Sequence, residues 1–169
     1  MSRDPTIAGT TVTHLAQNCP NPLLIIKDPR IRASKTNAQY HFGVCYDSSN
    51  KSRQALRIVL GMMRPEDKLT CITCKEMNIK MDQISSQVNS ICSEFNYTTQ
   101  CFKVVEREAG QNVYKAIQQY LIFESNADNY VDFVAVGNAG VNWQKSKSTL
   151  GSVANMVVRA KRMNVIFCP

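Results

Sequence analysis

The sequence predicts an α/β fold: an open five-stranded parallel sheet with helices on both faces, preceded by an extra N-terminal helix-strand segment. Three observations carry this. From residue 40 onward, short apolar runs alternate with stretches of helical periodicity, the pattern of parallel strands joined by crossover helices. Residues 131–136 are nearly all apolar, as a central parallel strand covered on both faces has to be. A chain of 169 residues with 44% hydrophobic content buries one sizeable core with room for an appendage, and two full domains would be cramped.

The elements follow in order. Residues 40–46 form the first strand, closed by Asp47-Ser48-Ser49, whose side chains suit a helix N-cap. The helix behind them turns Leu56, Val59 and Met63 inward and ends at Arg64-Pro65-Glu66-Asp67. Residues 69–74 are the second strand. Ile84, Val88, Ile91 and Phe95 then lie four, three and four residues apart and make one apolar helical stripe. Residues 98–105 are the third strand, and Gly110 opens a helix in which Val113, Ile117 and Leu121 recur. The fourth strand ends at Val136. A helix over residues 152–163 turns Val153, Val157 and Ala160 inward before the last strand, residues 165–168.

The chemistry concentrates where the fourth strand gives way to a helix. Gly137-Asn138-Ala139-Gly140, followed by Gly151-Ser152, reads as a phosphate cradle: glycines admit an anion close to the backbone, and a helix N-terminus presents unpaired N–H groups and a positive dipole end. A glycine pair after a strand also serves ordinary turns, so the signal needs support. Charge supplies some. The net charge is +7, and after Asp132 the chain carries no acid but has Lys145, Lys147, Arg159, Lys161 and Arg162. The last three complement a helix C-terminus, which leaves Lys145 and Lys147 as candidates for ligand phosphates. In open sheets ligands bind outside the carboxyl ends of the strands where strand order reverses, and the first and fourth strands end there in Asp47 and Gly137.

Other classes fit less well. The seven cysteines are scattered through apolar segments, as reduced thiols used as small hydrophobes are. Cys71 and Cys74 form a CxxC, but they lie in a strand-like segment where residues three apart face opposite sides, and there is no second pair, so no metal site is expected. No basic stripe is interleaved with aromatics, which argues against nucleic acid. No run approaches the roughly 18 apolar residues of a membrane helix, and residues 1–8 do not suit a secretory signal; a soluble, cytoplasmic protein is expected, with no membrane partner. There is no lysine after a GxxxxG and no nucleophile motif, so no catalytic residue is expected.

These residues resemble a family. Val44-Cys45-Tyr46-Asp47-Ser48-Ser49 with Ser52, Ala55 and Leu56 looks like the opening strand and helix of the universal stress proteins, and Pro65-Glu66-Asp67-Lys68-Leu69 resembles the approach to their second strand. Residues 132–140 followed by Leu150-Gly151-Ser152-Val153 are similar to the family's nucleotide signature. The resemblance covers residues 39–169. It implies strand order 3-2-1-4-5 and an adenine nucleotide, ATP or AMP, with any Mg²⁺ brought by the nucleotide. It further implies phosphate and ribose held by Gly137, Asn138, Gly140, Gly151, Ser152 and Val153, and ribose or base met by Tyr46, Asp47 and Cys74. Slow ATP hydrolysis is compatible with it, and so is a branch of the family that serves as an interaction module without nucleotide. One departure bears on that choice: the loop from Val141 to Leu150 is one residue longer than the nucleotide-binding branch has, enough to displace Gly140 by up to roughly 3.5 Å.

The front of the chain repeats its end. Gly9-Thr10, Leu15-Ala16 and Pro22-Leu23-Leu24-Ile25-Ile26 can be laid without a gap on Gly151-Ser152, Val157-Val158 and Asn164-Val165-Ile166-Phe167-Cys168, at a constant offset of 142. Residues 1–27 therefore resemble the last helix and strand of another such domain, with residues 28–38 a polar, basic linker. In the family the last strand pairs with its counterpart from a second domain. Val165, Ile166, Phe167 and Cys168 are thus expected to meet Leu23, Leu24, Ile25 and Ile26 within or between chains, with a homodimer the expected assembly.

Overall fold

A computed structural model describes residues 10–27, 39–75, 80–98, 102–124, 130–138, 150–160 and 163–169. The elements are α1 (Thr10–Asn18), β1 (Leu23–Ile25), β2 (His41–Cys45), α2 (Asn50–Met62), β3 (Lys68–Cys74), α3 (Met81–Glu94), β4 (Phe102–Val105), α4 (Val113–Gln119) leading into a π-helical turn (Tyr120–Glu124), β5 (Phe133–Gly137), α5 (Ser152–Arg159) and β6 (Asn164–Cys168). The described strands form one sheet in the order β1-β6-β5-β2-β3-β4. Within it β2 to β6 run parallel and β1 lies antiparallel on β6. The expected order of the five parallel strands is kept. The count becomes six because the front segment adds its strand to the same sheet.

Alternation along each strand sends neighbours to opposite faces, and this divides the core in two. On one face Val134, Val136, Val165 and Phe167 pack with Ala116 and Ile117 of α4, Val157 of α5 and Ala16 of α1. On the other, Val44, Ala135, Ile166 and Cys168 pack with Ala55, Leu56 and Val59 of α2 and Ile84, Val88 and Ile91 of α3. Cys71 falls in the second group and Cys74 in the first, so the CxxC pair points to opposite sides of β3, and neither cysteine is in a disulfide.

Several boundaries shift, each for a local reason. The third strand begins at Phe102 and not at residue 98, because Tyr97 belongs to the end of α3: its N–H donates to the Cys92 carbonyl and its hydroxyl accepts the Leu69 N–H. The following helix opens at Val113, since Gly110 sits in a turn at φ +79 and Asn112 is the N-cap. Helix α5 stops at Arg159, and its inward residues are Ala154, Val157 and Val158; Val153 and Ala160 are only half-buried. Phe95, expected in the α3 stripe, caps that helix and is exposed.

The amino-terminal rim of the sheet is held by carboxylates. Asp132 Oδ2 accepts the His41 N–H at 2.8 Å, and Asp67 accepts the backbone N–H groups of Tyr40 and Arg64 as well as the Arg64 guanidinium. Burial of Asp67 alone would raise its pKa. The Arg64 guanidinium and the two N–H donors outweigh that and hold it below its ordinary 3.8.

Front and rear units meet across β1 and β6. Leu24 stands opposite Ile166, with Leu23 against Phe167 and Ile25 against Val165. Within this chain β6 is paired on both sides, by β5 and by β1. Helices α1 and α5 begin at Thr10 and Ser152, the 142-residue offset of the repeat. Lys27 closes the junction. Its N–H donates to Asn164 Oδ1, and its ammonium donates to the carbonyls of Val157, Val158 and Ala160 at 3.1, 2.6 and 2.8 Å. The cation facing the last carbonyls of α5 is therefore Lys27; Arg159 lies in the last turn, and Lys161 and Arg162 fall outside the described residues.

Candidate functional site

Strands β2 and β5 are neighbours at the point where the chain turns to opposite sides of the sheet, β2 leading to β3 and β5 to β6. Their parallel register sets Val44 beside Ala135, and Asp47 and Asn138 each follow three residues later, just past the strand ends. The two positions marked by the sequence therefore leave the sheet side by side at its topological switch, where clefts in such folds open.

On the β2 side the chain makes a tight, self-bonded turn. Asp47 Oδ1 accepts the Ser49 N–H at 3.0 Å, and Ser49 Oγ accepts the Ser52 N–H at 3.1 Å, so Ser49 is the N-cap of α2 and Asp47 stands two residues earlier. Ser48 between them takes φ +65, a left-handed conformation that a serine adopts at some cost. Lys51 and Arg53 occupy the first turns of α2, which lacks an acid there. Cations at that end oppose the helix dipole and gather positive potential at the rim.

On the β5 side the ends of the glycine loop are clasped together. Asn138 donates its N–H to the Cys168 carbonyl and its carbonyl accepts the Gly151 N–H, both at 2.8 Å. This brings Gly137, Asn138, Gly151 and Ser152 into one group, with Val153 half-buried behind them. The clasp also uses the amides of Asn138 and Gly151, so those two are spoken for. Ser152, exposed at the start of α5, and half-buried Val153 stand in the first turn, whose N–H groups have no partner within the helix. Gly140, Lys145 and Lys147 lie outside the described residues.

Gly137 has a packing reason of its own. A Cβ there would stand 2.7 Å from Lys51 Cβ and 3.0 Å from the Lys51 carbonyl carbon. Gly151, at φ −59 and ψ 154, has a backbone any residue can take.

Two expected residues turn away from the cleft. Tyr46 is buried on the α2 and α3 face, with its hydroxyl 3.5 Å from Gln87 Oε1 and bonded to Arg53. Burial raises its pKa. Cys74 is buried in the core beneath α4 and α5. Burial, helped by Asp47, pushes the Cys45 thiol up to about 12, and burial does the same for Cys168, so both stay protonated and unreactive at neutral pH. Among the described residues no group of three or more His, Cys, Asp and Glu is placed to hold a metal.

Among the described residues, three side-chain atoms are buried without a hydrogen-bond partner: Ser48 Oγ, Arg53 Nε and Asn138 Oδ1. All three belong to the carboxyl-end segments just described. Native interiors satisfy nearly all such atoms, so their gathering here makes these segments the candidate site. Sequence reasoning passed over Ser48 and Arg53, although a left-handed serine and a cation at a helix start next to Asp47 were the available signals. An open groove of about 560 Å³ runs between α4 and α5 past Tyr114, Gln118, Asn155 and Arg159, touching this site only at Ser152.

No protein-family model matches the chain, and none of the curated proteins matches it. Solved structures do. A universal stress protein in complex with cAMP is 22% identical, with a TM-score of 0.56, over 78% of this chain and 97% of its own. A universal stress protein from Archaeoglobus fulgidus is 15% identical, with a TM-score of 0.51, over 84% of this chain and all of its own. The chain has the universal-stress-protein fold.

Proposed function

We propose that the chain is an adenine-nucleotide-binding module, taking ATP or AMP at the carboxyl ends of β2 and β5 and changing its conformation or partners with occupancy, in the service of a stress response. The observation that carries the reading is the clasp of Asn138 on Gly151 at the topological switch, with Asn138 Oδ1 buried and unpaired beside it. The donor set fits the ligand. The first-turn amides at Ser152 and Val153 face a phosphate, Lys51 and Arg53 bring positive charge, and Asp47, Ser48 and Asn138 offer acceptors to ribose or base. A fold neighbour that holds cAMP agrees with this chemistry. Mg²⁺ would arrive with the nucleotide. The reading is of a binding module, not an enzyme.

Calorimetry with ATP, AMP and adenosine tests it, together with mass spectrometry of any ligand released from the purified protein. Ser152→Glu is the informative variant, because an acid at the start of α5 suits the dipole and leaves the fold intact while repelling phosphate. ATP should bind at least about tenfold more weakly to the variant and adenosine equally well to both. Equal ATP binding by both would place the site elsewhere.

A second reading, an interaction module without nucleotide, is favoured by two observations. Packing on Lys51 already accounts for Gly137, and the Asn138 and Gly151 amides are already bonded. Absence of binding by all three ligands would select it.

A further inference from the structure

Helices α4 and α5 pack side by side on one face of the sheet, and Ala116, Ile117, Ala154 and Val157 are buried there, as such a contact requires. Next to that apolar contact both helices turn polar. Ser152, Asn155 and Arg159 stand three and then four residues apart on α5, and Tyr114 and Gln118 stand four apart on α4, so each set lies along one side of its helix. With Met156 they line an open groove of about 560 Å³.

The fold uses none of these polar groups. Among the described residues, the side chains of Tyr114, Gln118, Ser152, Asn155 and Arg159 make no hydrogen bond or ion pair, although those of Tyr114, Gln118 and Asn155 belong to half-buried residues. A phenol and two carboxamides on one groove that do not bond to one another form a donor and acceptor set held open. Arg159 is freed in another way. A last-turn cation ordinarily serves the final carbonyls of its helix, and here the Lys27 ammonium bonds those carbonyls instead.

Position links the groove to the nucleotide site. It begins at Ser152, where the phosphate would lie, and reaches Arg159, about 10 Å farther along the helix. A volume of about 560 Å³ is that of a small-molecule site and exceeds what terminal phosphates fill. We propose, resting on the nucleotide reading, that the ligand is an adenine nucleotide extended beyond its phosphates. Adenosine lies at the carboxyl ends of β2 and β5, the phosphate chain passes Ser152, and a second group rich in hydrogen-bonding atoms occupies the groove. The lining sets the chemistry of that group. Gln118 and Asn155 each offer a donor and an acceptor, which an amide chain or the edge of a second base would match. The Tyr114 ring and the Met156 thioether supply apolar contact, and Arg159 donates to a carbonyl or ring acceptor at the far end. ATP, which ends at its phosphates, leaves all of these groups unmet.

Calorimetry on the full chain tests this by comparing ATP with diadenosine tetraphosphate, whose second group is a base, and coenzyme A, whose second group is an amide chain. At least one of the two should bind about tenfold or more tightly than ATP, and which one does identifies the group. Gln118→Leu and Arg159→Gln should each remove most of that advantage and leave ATP affinity nearly unchanged. Neither side chain bonds to anything in the fold, so the urea midpoints of the variants should match that of the parent. In isotope-labelled protein the side-chain amides of Gln118 and Asn155 should shift with the tighter ligand and not with ATP. If ATP binds and neither extended ligand binds more tightly, or if the advantage survives both variants, the extension is overturned and the nucleotide reading stands. If none of the three ligands binds, both are overturned.

Discussion

A methyl group at residue 137 would press on Lys51 at 2.7 Å, against atoms that cannot swing aside because they belong to the start of α2. Gly137→Ala is therefore expected to lower stability by about 1–3 kcal/mol in the absence of any ligand, read as the urea midpoint. A glycine loop was legible in the sequence; this reason for its first member was not, because it depends on a helix that reaches the strand end only in the folded chain. Lys27 makes the same point with a pH signature. Burial lowers its pKa from 10.5 to about 8 although three carbonyls face it. Between those values the unfolded chain holds the proton and the folded chain releases it, so this residue makes stability rise with pH from about 8 to 10.5. Subtracting the urea midpoints of Lys27→Met from those of the parent across that range should reveal the rise. Asp67 acts with the same sign in the acid range: its depressed pKa gives stability that is complete above 3.8 and lost as acid protonates it in the folded state. Asp67→Asn should flatten the acid limb of the stability curve.

At the level of elements, the strands were legible because each is an apolar run bounded by turn residues, and the helices because their stripes follow the helical period. Ends were less so. Asp47, Ser48 and Ser49 are all able to cap a helix, and composition cannot say that Ser49 takes the role while Asp47 braces it from two residues earlier. Ser49→Ala should cost about 1 kcal/mol, measurable by urea denaturation, whereas Ser48→Ala should cost little, since its hydroxyl has no partner to lose. The front unit was visible only through its offset from the rear one. That comparison located α1 and β1 correctly, because a helix-strand pair that buries the same faces has to repeat the same spacing.

For the molecule as a whole, strand order was anticipated through the resemblance to the universal stress proteins, since right-handed crossovers alone leave more than one arrangement of five parallel strands. The cleft at the switch followed from that order, and its detailed furnishing did not, since Arg53 and Asn138 acquire unpaired atoms only through packing. With a net charge of +7 and cations at the rim of the cleft, ATP affinity should fall as salt is added from 0.05 to 0.5 M, about tenfold or more, with adenosine affinity almost unchanged; calorimetry at several ionic strengths would show it. Since β1 descends where β6 ascends, any domain completed upon β1 would open its own mouth at the far rim, facing away from Asp47 and Asn138. Two ligands so placed could never touch, and any coupling between them would have to cross the pairing of β1 on β6.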